Sequence, residues 1–204
     1  MIPILLALQS ANAGEREVVL NAGVLNTDDA NWSMFGSGSV LPSFGARFAY
    51  PIMPHLKVVA GYEYAQNGST ISVYDDTGDD GTESEFKTGF FAHQGLVGAK
   101  AHWAVSKWVT VYGIAEGDFM LSTVRIDDDP DDDENAGQIE RGGATGGVLA
   151  AAGLGITVPI RDGSTAWEFH AELGYGYLAP LEIEEVGQLE FSGLSFRAGT
   201  GLVF

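Results

Sequence analysis

The side chains of this sequence that could do chemistry stand apart from one another. Glu17, Arg47, Lys57, Glu63, Glu116, Glu168, His170, Glu172 and Arg197 occur singly, most of them among glycines and small residues, in stretches where alternate positions are large and apolar. His170 and Glu172 lie two apart, on one face of an extended strand, a spacing that lets a carboxylate orient an imidazole. No serine completes a nucleophilic set beside them, so this histidine reads as a satisfied interior group. His55, His93 and His102 show no metal-ligand spacing. The chain has no cysteine, which removes disulfides and thiolate nucleophiles or ligands. No cofactor is implied. Charges withdrawn from water must pair, and the strand neighbours suggest Glu172 with Arg197 and Glu17 with Arg47, Lys100 being a further candidate. Such a set either plugs an interior or lines a path for protons or small ions.

A second constellation is acidic. Asp75, Asp76, Asp79 and Asp80 form one cluster, and Asp127, Asp128, Asp129, Asp131, Asp132, Asp133 and Glu134 form another. Oxygen clusters suit Ca²⁺, which takes about 6 to 8 oxygen ligands. Asp131, Asp133 and Asn135 match the first ligand positions of an EF-hand loop, but Gly137 comes one place late and Gly142 stands where a glutamate is needed. Counted from Asp76, the twelfth position is Lys87. The clusters therefore read as solvated charge runs, with weak collective binding of divalent cations as the sharper expectation. A net charge of −18 disfavours nucleic acid as a partner.

The elements that carry these residues are extended. Eight period-2 stretches rich in Val, Tyr, Phe and Gly run over 16–25, 40–50, 56–66, 86–103, 108–121, 144–158, 165–178 and 190–204. Short turns at 51–55, 104–107 and 159–164 alternate with long loops at 26–39, 67–85, 122–143 and 179–189, and those loops hold 19 of the 28 acids. All long loops thus fall at one end of an up-and-down meander. The opening MIPILLALQSANA has an apolar run followed by small residues at Ala11 and Ala13, the pattern of a secretory signal. Residues 1–13 are read as a signal peptide, truncated at its start, and 14–204 as one domain.

Parity decides the class. In the seventh stretch Trp167, Phe169, Ala171, Leu173, Tyr175 and Tyr177 alternate with Glu168, His170, Glu172, Gly174 and Gly176. A soluble barrel would turn that second set to water, yet glycine with scattered charge makes a poor exterior and a good narrow interior. In a bilayer the large apolar set faces lipid, and closure satisfies every backbone group. Tyr50, Trp103, Trp108, Trp167 and Phe204 fall near the short-turn end and Tyr62, Tyr64, Phe119, Tyr175 and Tyr177 toward the loop end, as two interfacial girdles would. Glu116 and Asp118 direct Tyr112 and Ile114 inward, and a bulge is expected near Phe90 and Phe91. The expected fold is an all-β, eight-stranded antiparallel up-and-down transmembrane barrel.

The chain resembles the small outer-membrane barrels of the OmpA-like and OmpX-like kind. The most specific motif is LSFRAGTGLVF, an alternating strand with Phe196, Leu202 and a terminal Phe204. The resemblance implies that this strand is the signal read by the barrel assembly machinery. It further implies location in the bacterial outer membrane as a monomer, long loops outside, lipopolysaccharide and other membrane lipid as partners, and no periplasmic domain after the barrel. It does not imply one activity. A structural or surface-interaction role through the acidic loops is expected, without enzymatic activity. The alternatives are a small channel or solute-binding barrel resembling OmpW-like proteins and, less favoured, a lipid A-modifying enzyme. Members of that last class carry Ser, His and an acid on the lipid-facing side, whereas His170 points inward by parity.

Overall fold

A computed structural model describes residues 15–27, 32, 34, 35, 39–75, 82–127, 138–160, 165–184 and 187–204. The strands are β1 (Glu17–Asn26), β2 (Val40–Met53), β3 (Leu56–Asp75), β4 (Thr82–Ala104), β5 (Val109–Asp127), β6 (Gln138–Pro159), β7 (Ala166–Leu178), β8 (Leu181–Ile183), β9 (Gly187–Leu189) and β10 (Ser192–Val203). Eight of them close a barrel in the order β1-β10-β7-β6-β5-β4-β3-β2, and β8 with β9 forms a separate hairpin. Every ladder is antiparallel, as an up-and-down meander of alternating outer and inner residues requires. The seam runs from Glu17↔Val203 to Leu25↔Ser195. Below it, Arg16 N–H donates to Phe204 O at 2.8 Å and Phe204 N–H to Arg16 O at 3.0 Å.

The wall is uneven. Strands β3 to β6 have 20, 23, 19 and 22 residues, whereas β1, β2, β7 and β10 have 10, 14, 13 and 12. The expected loops 67–85 and 122–143 are therefore largely strand, paired out to Asp75↔Thr82 and Asp127↔Gln138. The β2–β3 ladder stops at Ser43↔Ala65 and the β6–β7 ladder at Gly147↔Leu178, so a four-stranded sheet rises above the closed ring. No bulge occurs at Phe90 and Phe91, because the ladders on both sides of β4 keep register through them. Phe90 simply turns inward and Phe91 outward. Among the described residues the one register shift lies between Pro51 and Met53, where proline has no N–H to give the ladder.

The interior has two parts. Below, it is polar and charged. Above, Trp32, Phe35, Phe90, Leu181, Ile183, Leu189 and Phe191 pack into an apolar cap with Met120 and Val124. The Trp32 ring meets Phe90 edge-on at 5.0 Å and Phe191 at 5.5 Å, the arrangement aromatic quadrupoles favour. The region 179–189, expected as a loop, supplies the β8–β9 hairpin, whose Gly187 takes a φ of 99° at the turn.

Candidate functional site

The two-residue period sends one set of side chains into the lumen. Glu17 and Asn21 come from β1, Arg47 from β2, Lys57 and Glu63 from β3, Lys100 from β4, Tyr112, Glu116 and Asp118 from β5, Glu168, His170 and Glu172 from β7 and Arg197 from β10; all are buried. The opposite parity carries Phe44, Phe48, Phe169, Leu173, Tyr175 and Phe196 on the outer surface, with Phe44 57% exposed against 5% for each of Arg47 and Arg197. A cross-strand glycine makes room for each arginine: a Cβ on Gly61 would sit 2.8 Å from Arg47 Cγ, and one on Gly23 would sit 2.8 Å from Arg197 Cγ.

The charges form two tiers. Toward the short turns, Lys57 Nζ donates to Glu17 Oε1, while Lys100 Nζ donates to Glu17 Oε2 at 2.7 Å and lies 3.5 Å from Glu168. Lys100 Nζ also sits 4.1 Å from the centre of the Tyr112 ring, a cation–π contact. Higher up, Arg47 donates through Nη1 to both Glu172 oxygens at 3.0 and 2.8 Å and through Nη2 to Glu116 at 2.6 Å. Arg197 lies 2.9 Å through Nε from Glu63 and donates from Nη1 to the same Glu116 oxygen at 3.2 Å. Asn21 donates to Glu63 at 2.9 Å, Ser43 to Glu63 at 3.2 Å and Tyr112 to Glu172 at 3.0 Å. Such mutual satisfaction is what lets several charges remain out of water together.

The expected partners differ from the observed ones. Glu172 and Arg197 are cross-strand neighbours, yet Glu172 bonds Arg47, Arg197 bonds Glu63 and Glu116, and Glu17 bonds the two lysines instead of Arg47. Long side chains reach across the lumen, so strand adjacency does not choose their partners. Asn21 and Ser43 were absent from the candidate set, although their inward parity was a signal for them. Just outside β1, burial raises the Glu15 carboxyl above its ordinary range, against the opposing pull of the Lys57 charge.

The lumen has little free space. A cavity of about 20 Å³ touches Glu17, Arg47, Lys100 and His170, and one of about 30 Å³ touches Glu63, Asp118 and Arg197; each has room for about one or two waters. Glu116 Oε2 joins their walls by accepting from both arginines. Among the described residues no group of three or more His, Asp or Glu is arranged to hold a metal ion. Of the acidic candidates, Asp75 and Asp127 end β3 and β5; Asp76, Asp79, Asp80, Asp128, Asp129, Asp131, Asp132, Asp133 and Glu134 lie outside the described residues, as does the 1–13 segment. Phe196 and Phe204 are exposed on the outer wall, with Leu202 half-buried.

No protein-family model matches the chain, and no curated protein matches it in sequence. Among solved structures, the outer membrane protein OprG from Pseudomonas aeruginosa superposes with a TM-score of 0.55 at 9% identity, covering 96% of this chain and 98% of that one. The fold is that of the small outer-membrane barrels. Ail, the attachment invasion locus protein of Yersinia pestis, is also similar, with a TM-score of 0.46 at 12% identity over 94% of this chain and 99% of its own. Neisserial surface protein A has a TM-score of 0.44 at 15% identity over 93% and 97%. The eight-stranded outer-membrane barrel fold thus accounts for the full described wall.

Proposed function

We propose that this chain is a monomeric integral protein of the bacterial outer membrane, with a shut lumen and a structural or surface-interaction role. The observation that carries the reading is the inversion of the barrel: Phe, Trp, Tyr and Leu cover the outer wall while paired charges fill the inside. In water such a wall would be a contiguous apolar surface far larger than monomers expose; in a bilayer it is solvated. The tall β3–β6 sheet ends at Asp75 and Asp127, and the acidic segments that follow them in sequence are the contact surface for cations and other surface molecules. Alternating Phe196, Leu202 and Phe204 serve as the assembly signal, and membrane lipid and lipopolysaccharide surround the wall.

Two small cavities in place of a continuous bore favour a plug over a channel. His170 is buried in the lumen, where it cannot meet a lipid substrate, so lipid A chemistry is not favoured. The test is flotation with refolded vesicles and a gel run with and without boiling. The reading expects a vesicle-bound protein whose mobility changes on boiling, and no steady current in planar bilayers. A protein left in the aqueous phase overturns it, and a steady current replaces the plug with the channel.

A further inference from the structure

The two charge tiers of the lumen do not balance alike. Among the described residues, Glu17 and Glu168 of the lower tier face Lys57 and Lys100, so that tier is neutral. Above, the carboxylates of Glu63, Glu116, Asp118 and Glu172 share only the guanidinium groups of Arg47 and Arg197. With histidine counted neutral, the upper tier keeps an excess of negative charge that no described side chain offsets. Uncompensated charge is expensive out of water, so the excess calls for a counter-charge.

The excess is least answered at Asp118. This residue is 8% exposed, and among the described residues it forms no salt bridge. Its Oδ1 has no hydrogen-bond partner, and its neighbour on β4 is the neutral amide of Gln94. A buried oxygen left in this way points to a water or an ion.

Asp118 borders the cavity of about 30 Å³, together with Ser43 of β2 and Ser195 of β10. Ser43 gives its proton to Glu63 at 3.2 Å, so its lone pairs remain to coordinate. Arg197 also borders this chamber, yet its Nε, Nη1 and Nη2 are all turned to Glu63 and Glu116. Leu41, Met120 and Leu178 of the cap form the roof. Carboxylate and hydroxyl oxygens suit a hard cation. One carboxylate with two hydroxyls is too few for Ca²⁺, which takes about 6 to 8 oxygens, and the space admits an ion with about one water.

We infer that the chamber between the upper charge tier and the cap binds one small monovalent cation, Na⁺ or K⁺, on the Asp118 carboxylate, with the Ser43 and Ser195 hydroxyls as neutral ligands. The ion completes the plug by supplying charge that the side chains lack. The inference extends the shut lumen proposed above: a steady current in planar bilayers refutes the plug, whereas the comparison of salts in detergent judges the ion by itself.

The experiment is urea unfolding of the full chain refolded in octyl glucoside, at neutral pH, in NaCl, KCl or tetramethylammonium chloride, each at about 0.15 M. Tetramethylammonium is too large for the chamber, and the anion and ionic strength stay constant. The midpoint should be higher in NaCl or KCl by roughly 0.5 M urea or more, the shift for an ion about tenfold above its Kd. That difference should vanish in Asp118→Asn and shrink in Ser195→Ala, with a boiling gel confirming that each variant closes. Equal midpoints in the three salts overturn the inference and leave the chamber to water. Equal midpoints that rise together as the pH is lowered overturn it in favour of protons. A difference that persists in Asp118→Asn is a general salt effect, and one undiminished in Ser195→Ala puts the ion elsewhere; both overturn the assignment. Thallium NMR of the wild type needs no variant: a bound Tl⁺ signal displaced by K⁺ is expected, and its absence overturns the inference.

Discussion

Arg47 and Glu172, 125 residues apart in the chain, are joined across the lumen by two hydrogen bonds of 3.0 and 2.8 Å from one guanidinium nitrogen. The same arginine reaches Glu116 at 2.6 Å. Replacing Arg47 by methionine strands the buried Glu172 carboxylate and leaves Glu116 with Arg197 alone, and a lost partner in a buried pair costs about 3–5 kcal/mol. Arg47→Met should lower the unfolding free energy in vesicles by that amount. Adding Glu172→Leu should recover part of it, because one orphaned charge disappears. Urea titration of the single and double variants measures both values; an additive double loss would contradict the coupling.

Glycines of the barrel wall differ in what they make possible. A Cβ on Gly61 would meet Arg47 Cγ at 2.8 Å and Ala46 O at 2.9 Å, whereas one on Gly95, which faces outward, meets nothing within 4 Å. Gly61→Val should therefore destabilise by about 1–3 kcal/mol through overpacking. Gly95→Ala should be neutral or stabilising by about 0.5–1 kcal/mol, since glycine inside a strand carries an entropic cost. Denaturant midpoints of the two variants should move in opposite directions or leave Gly95→Ala unchanged.

The barrel itself was legible in the residues because the membrane imposes a contrast between parities: Trp167, Phe169 and Leu173 against Glu168, His170 and Glu172 admit one arrangement. Above the bilayer that contrast ends. In NGSTISVYD of β3 neither face is consistently apolar, so nine further residues of strand looked like loop. The cap was hidden for a related reason. Trp32, Phe35, Leu181 and Leu189 lie in the segments 26–39 and 179–189, which read as loops, and their apolar side chains converge only once β8 and β9 fold over the mouth. Ion partners were hidden because strand tilt and stagger decide which long side chains meet across the lumen.

The apolar cap and the charge tiers shut the lumen independently. Trp32 and Phe191 are both fully buried in the cap, and truncating a buried aromatic costs about 3–5 kcal/mol. Phe191→Ala should lose stability on that scale while planar bilayers still show no steady current, since Arg47, Glu116 and Arg197 remain in place below. A stable current from Phe191→Ala alone would show that the cap is the sole seal.

The inversion of inside and outside is the central claim, and the chain's lack of cysteine makes a direct measurement clean. Phe196 points outward and Ser195 inward on adjacent positions of β10. Single cysteines at these two positions, labelled with bimane and refolded into vesicles of brominated lipid, should differ: strong quenching at 196 and little at 195. Quenching at 195 with protection at 196 would place the apolar residues around the axis and contradict the account.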